Sequence, residues 1–270
     1  MKPVNILCIG VIVFVFFFLI MFLPSIGKHI TREKYNLPNS SDANVLLAIR
    51  SYNRPEYLEH TLDSVNRSNL DVCSNKIIYD DGSSNKSTIE LLRKNRKEFT
   101  VVKNGKNVGV NKSYINLLRY IDTQYINKRS NVTYVVVMDN DVVVKPNFLK
   151  TMRDVWKDAH QKLGTKMFVL SGYKSSHSHH NDDRQNQVDY GSFVTKYSTG
   201  AVCYMFHIDF LKAIMKGWED GLDWGISTLI HKTNGYHFCV VKDGQVNHVG
   251  LFGANHNGGG IDDDRDFTKN

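Results

Sequence analysis

From Val45 onward, short apolar runs alternate with amphipathic segments of helical period, and this alternation leaves few folds open to the chain. Residues 45–49, 76–79, 99–102 and 134–138 have strand length. Between them, Pro55 opens a helix with Leu58, Leu62 and Val65 at helical spacing. Residues 88–97 read as a second helix, and 111–126 as a third with Tyr114, Leu117, Leu118 and Ile121 on one face. Apolar strands without alternation are buried on both sides, so the pattern predicts an α/β fold with a mostly parallel central sheet flanked by helices. Ligands in such sheets bind beyond the carboxyl ends of the strands. Three polar clusters fall there: residues 50–53, 80–83 and 139–141. The second half is less regular. Residues 168–171, 201–206 and 236–241 read as strands, 209–216 and 222–233 as helices, and 174–187 as a polar loop.

Composition narrows the class. With 41% hydrophobic and 23% charged residues the chain is no disordered polymer. Its four cysteines include no C-x-x-C pair, which excludes a zinc ribbon, and are too few for a disulfide scaffold. A net charge of +7 favours anionic partners. No basic patch is interleaved with aromatics, so nucleic acid is not expected among them.

Residues 6–23 carry no charge. As a helix they would span about 27 Å, enough for a bilayer core and longer than the apolar part of a signal peptide. The expected organisation is a transmembrane anchor (1–27), a stalk (28–44), a catalytic domain (45–252) and a Gly- and Asp-rich tail (253–270). Lys28, Arg32 and Lys34 after the span, against Lys2 before it, lean towards a cytoplasmic domain.

The most informative segment is the apolar run 134–138 followed by Asp139-Asn140-Asp141. In an extended chain, alternate residues face the same way. Two carboxylates so placed repel unless a cation lies between them, and hard oxygen ligands suit Mn²⁺ or Mg²⁺. Asp80-Asp81-Gly82-Ser83 offers acceptors for a base N–H or a ribose hydroxyl, or simply a capped turn. Arg50 and Tyr52 offer a charge for phosphate and a stacking face. Gly109 and Lys112 open a helix where a phosphate could sit.

In this order and spacing, Arg50-Ser-Tyr-Asn53, Asp80-Asp-Gly-Ser83, Asn107-Val-Gly109 and Asp139-Asn-Asp141 resemble the GT-A nucleotide-sugar glycosyltransferases, family 2 most closely, over about residues 45–250. The resemblance implies a nucleotide-sugar donor and a glycan or glycoconjugate acceptor. Arg50, Tyr52, Asn53, Asp81, Gly109, Lys112, Asp139 and Gly200 would line the donor site. Asp139 and Asp141 would hold Mn²⁺ or Mg²⁺, with His248 completing the shell. Where the family often has a small residue, this chain has Arg50. In the acidic segment 218–225, Asp223 is the expected catalytic base, with Glu219 and Asp220 as rivals. One base and one Lewis acid suit an inverting transfer. Two alternatives stay open: nucleotidyl transfer on a similar sheet, and a non-catalytic sugar- or nucleotide-binding protein. A Gly-rich basic loop after the first strand, which the former would need, is missing from residues 50–55.

Overall fold

The computed structural model describes residues 44–128, 130–174, 187–217 and 222–250, all within one compact unit, Asn39–Asn270. The apolar segment 6–23, the stalk before residue 44, His177, His179 and His180, Glu219, Asp220 and the tail beyond residue 250 lie outside the described residues. Among those described, no helix is long and apolar enough to cross a membrane.

The elements run β1 (Asn44–Ser51), α1 (Pro55–Asn66), β2 (Cys73–Asp80), α2 (Lys86–Lys94), β3 (Thr100–Lys103), α3 (Val110–Ile121), β4 (Val132–Met138), β5 (Val142–Val144), α4 (Phe148–Leu163), β6 (Phe168–Ser171), β7 (Phe193–Thr195), β8 (Cys203–His207), α5 (Ile208–Gly217), α6 (Leu222–Lys232), β9 (His237–Val241) and β10 (Val246–His248). The main sheet has the order β3-β2-β1-β4-β8-β6-β9-β7. Strands β1 to β4 are parallel, as is β6 with β9, whereas β8 and β7 run against their neighbours. The two reversed strands make the second half of the sheet mixed. An apolar run dictates burial but not direction. Direction follows from where the chain arrives, and β8 starts at the catalytic end, with Cys203 paired to Met138.

Both faces of the central strands are buried, as their unbroken apolar runs require. In β1, Val45, Leu47 and Ile49 pack with Leu58 and Leu62 of α1 and Trp156 of α4. Leu46 and Ala48 face the other way, into a cluster with Leu117 of α3 and Phe210 of α5. The third helix is shorter than its pattern suggests: α3 ends at Ile121 and a wider turn follows, Asp122–Ile126. There the Thr123 hydroxyl donates to the Arg119 carbonyl at 2.8 Å, a back-bond that competes with helical pairing.

The short strands β5 and β10, unmarked in the apolar pattern, matter most for the site. They pair antiparallel in a small second sheet, His248 opposite Val142. The other side of β5 is held by α1. The buried Thr61 hydroxyl donates to the Val142 carbonyl (2.9 Å) and accepts from the Val142 amide (3.0 Å), and Ser64 Oγ accepts from the Val144 amide (3.3 Å). Two polar side chains on the buried face of a helix thereby replace a missing strand. Thr61→Val keeps the shape and strands one buried donor and one buried acceptor. It should cost about 1–3 kcal/mol. Urea denaturation checks this, and unchanged stability would contradict the pairing.

Candidate active site

The site is assembled where β1, β2 and β4 end. After β1 the chain turns sharply: Asn53 (φ 50°) and Arg54 (φ 58°) are both left-handed, a conformation non-glycine residues adopt at some cost. Pro55 then starts α1 in the position its fixed φ suits. The turn is held from the second cluster. Asn53 Oδ1 accepts the amides of Ser84 (3.1 Å) and Asn85 (3.0 Å), and its own amide donates to Ser83 Oγ (2.7 Å). Asn53, expected to contact a nucleotide, is thus engaged in joining the first loop to the second.

Asp80 is fully buried and binds the amide and hydroxyl of Ser83, which closes the turn after β2. Asp81 faces the loop before α3. It accepts from the Asn104 side-chain amide (2.8 Å) and from the amides of Val108 (3.1 Å) and Gly109 (3.1 Å). Gly82 makes this closeness possible. It has φ +76°, and a Cβ there would lie 2.7 Å from the Asn107 amide nitrogen and 2.8 Å from Lys106 Cα. Gly109 caps α3 at φ 87°, and Lys112 stands exposed in that helix's first turn. Tyr52 is half-buried in the loop after β1.

The acidic pair lies opposite two arginines. Arg50, 9% exposed, has its guanidinium 5.1 Å from the Tyr114 ring centroid and forms an ion pair with Asp139. Arg54 Nη1 is 2.8 Å from Asp141 Oδ2, and its guanidinium lies over Tyr57 at 4.2 Å. His248 Nε2 approaches the same Asp141 oxygen at 3.2 Å. The strand pairing explains that meeting: β10 beside β5 brings His248 to Val142, one residue from Asp141, and the Val249 amide donates to the Asp141 carbonyl at 2.9 Å. Gly250 leaves room for the cluster, since a Cβ there would lie 2.8 Å from Arg54 Nη2 and overlap the Asp141 carboxylate.

The electrostatics of the two acids differ. Burial pushes the Asp139 carboxyl up, against the pull of Arg50, and the neighbouring Asp141 charge adds to the rise. Burial acts on Asp141 too, but the hydrogen bond and charge of His248, with Arg54, outweigh it and hold that carboxyl below its usual range. The two acids therefore do not confront each other bare, as their spacing alone suggests: each has its own arginine. Arg50, expected against the base or phosphate, instead spans from β1 to Asp139.

The structure brings Asp139, Asp141 and His248 together, and the Asp139 amide donates to the carbonyl of Val202, two residues beyond Gly200, at 3.0 Å. Among the described residues no cluster of three His, Cys, Asp or Glu has metal-binding geometry. The donor set is nonetheless suited to a cation. Asp141 Oδ1 is buried without a hydrogen-bond partner, and His248 Nε2 lies against the other oxygen of the same carboxylate. Two protein ligands are a common complement for Mg²⁺-type ions, which draw others from water and phosphate. For the expected base, Asp223, the backbone is the second residue of α6, which packs on β9, α3 and α5; its side chain is not described.

Sequence reasoning missed Arg54, Asn104 and Thr61. Arg54 had a signal, since a cation just before a helix-starting proline and after the first strand falls at the ligand end. Asn104 and Thr61 had none, because their partners are 23 and 81 residues away.

Gly82→Ala should push the 104–109 loop off Asp81 and weaken nucleoside diphosphate binding by roughly tenfold or more, because the new Cβ meets backbone that cannot rotate away. Calorimetric titration of UDP, GDP and ADP measures it. Wild-type affinity for all three would show that the close approach is not required.

The family model described as "Glycosyl transferase family 2" matches residues 47–210, more than half of the chain. No curated protein sequence matches. Among solved structures, one of GalNAc-T7 with UDP, GalNAc and Mn²⁺ superposes with a TM-score of 0.55 at 12% identity. The alignment covers 76% of this chain and 43% of that one, so the chain spans less than half of its neighbour's length. At that identity the likeness speaks for the fold alone.

Proposed function

The chain belongs to glycosyl transferase family 2, and from that premise we propose that it is a metal-dependent, inverting glycosyltransferase that passes a sugar from a nucleotide-sugar donor to a hydroxyl of a glycan or glycoconjugate. The match over residues 47–210 supports sugar transfer over nucleotidyl transfer. The observation that carries the finer reading is the contact of His248 with Asp141 beside Asp139, with an unpartnered buried oxygen on Asp141.

Each residue has a task that its position supports. Asp141 and His248 would hold Mn²⁺ or Mg²⁺, which supplies Lewis-acid stabilisation of the leaving diphosphate. The neighbouring GalNAc-T7 structure, with UDP and Mn²⁺, supports this choice of ion. Asp139, kept in place by Arg50, would accept from the ribose. Arg50 and Arg54 each have a buried Nε without a partner, and such donors suit diphosphate oxygens as the carboxylates turn to the cation. A carboxylate has about four acceptor positions. The Asp81 carboxylate accepts from three donors, the Val108 amide shared between both oxygens, so a base N–H would take over or share one of these positions, with Tyr52 as the stacking face. Lys112 and the Gly109 turn would face the nucleotide, and Gly200 the donor sugar. Asp223, at the start of α6, would take the proton from the acceptor hydroxyl as its oxygen attacks the anomeric carbon. Residues 6–23 would tether the enzyme to a membrane.

The base assignment is tested by Asp223→Asn, which keeps the shape and removes proton acceptance. Using the nucleotide sugar that a donor screen identifies, kcat should fall about 10²–10⁴-fold with donor affinity little changed. Glu219→Gln and Asp220→Asn should lose far less. Normal turnover in Asp223→Asn with an inactive neighbour variant moves the base to that neighbour; normal turnover in all three rejects a base in this segment.

A further inference from the structure

The end of the sheet opposite the catalytic cluster has its own character. Strands β1 to β4 run towards the site, so the amino ends of β2 and β3 lie on the far side, about 25 Å away along β2 and about 10 Å along the shorter β3. A cleft of about 620 Å³ opens there, lined by Cys73, Ser74, Lys76, Arg96, Lys97 and Phe99 among others. Phe99 is buried, and the Lys76 ammonium lies 4.6 Å from its ring centroid. Glu98 is the one acid among the cleft's lining residues, and Lys76 lies 3.7 Å from it. Arg96 and Lys97 are exposed, and the last turn of α2 adds exposed Arg93 and Lys94 beside them. Four cations within five residues, on a surface away from the donor site, have no task in the transfer reaction.

The chain enters the fold at this same edge. The Val45 amide donates to the Val72 carbonyl at 2.9 Å, and Ser74 Oγ donates to the Val45 carbonyl at 3.4 Å. Residues 24–43 separate the apolar segment 6–23 from β1. An anionic lipid surface is the electrostatic complement of this cationic end of the sheet.

We propose that this cleft and its rim, Lys76, Arg93, Lys94, Arg96 and Lys97, dock on anionic headgroups of the membrane that holds the chain. The inference rests on the membrane tether proposed above. Each basic side chain near an anionic leaflet shifts the docking equilibrium by about fivefold, and the tether keeps the local lipid concentration high. Docking by this edge turns the carboxyl ends of β1, β2 and β4 away from the bilayer, so the acceptor hydroxyl reaches the site from the aqueous side. It also makes the docked state salt-sensitive.

The test uses the full chain in nanodiscs of phosphatidylcholine, with or without phosphatidylglycerol. Lysine acetylation is read by mass spectrometry at Lys94 and Lys97, with exposed Lys150 and Lys212 as internal references. Anionic discs should protect Lys94 and Lys97 roughly threefold or more, high salt should remove the protection, and Lys150 and Lys212 should not change. The Arg93→Glu/Arg96→Glu variant should stay in the disc and lose the protection. Equal labelling in both discs overturns the proposal, as does protection by soluble polyphosphate but not by anionic lipid. Incorporation into discs is scored separately by gel filtration. A chain that does not incorporate refutes the tether, and the cleft is then judged by sedimentation with vesicles of the same two compositions. Binding to the anionic vesicles alone supports a headgroup site; binding to neither overturns it.

Discussion

Two arginine–carboxylate pairs, Arg50 with Asp139 and Arg54 with Asp141, join the end of β1 to the end of β4, and the site depends on them. Acids so close to each other, largely shielded from water, would repel and take up a proton. The arginines remove that penalty without using every oxygen. Asp141 is held ionised by His248 and Arg54 together, while one of its oxygens has no partner. The fold therefore carries, in one cluster, two carboxylates and two guanidiniums that neutralise each other.

That cluster is only as accurate as the short elements around it. β5 lies between α1 and β10, with Thr61 and Ser64 on one side and the 246–248 backbone on the other. The first loop is fixed by Asn53 to the turn after β2, and that turn by Asp81 to the loop before α3. Three loops far apart in sequence are thereby joined by side chains that each bind backbone. The left-handed turn at Asn53 and Arg54 is the strained point of this arrangement, and it is where the cation is aimed at Asp141.

Much of this was legible in the sequence because the physics behind it is local. An apolar run such as 134–138 must be a buried strand, and the acids after it must lie at the strand's carboxyl end. His248 was legible only through a family resemblance; the contact itself depends on a three-residue strand too short to carry a pattern. The pairing of Arg50 with Asp139 was not legible, since it joins residues 89 apart and nothing in either segment names the other. The reversed direction of β7 and β8 was hidden for a related reason: burial determines composition, whereas direction is a property of the connections.

On the proposed reading, Asp141 holds a divalent cation that in turn holds the diphosphate. Calorimetric titration of UDP, GDP, ADP and CDP into the protein, in Mn²⁺ and in EDTA, tests it most directly. For the preferred base, Mn²⁺ should tighten binding roughly tenfold or more, and Asp141→Asn should abolish that gain while the EDTA affinity stays the same. Equal affinity in Mn²⁺ and EDTA for the wild-type chain, or a full Mn²⁺ effect in Asp141→Asn, would contradict the account.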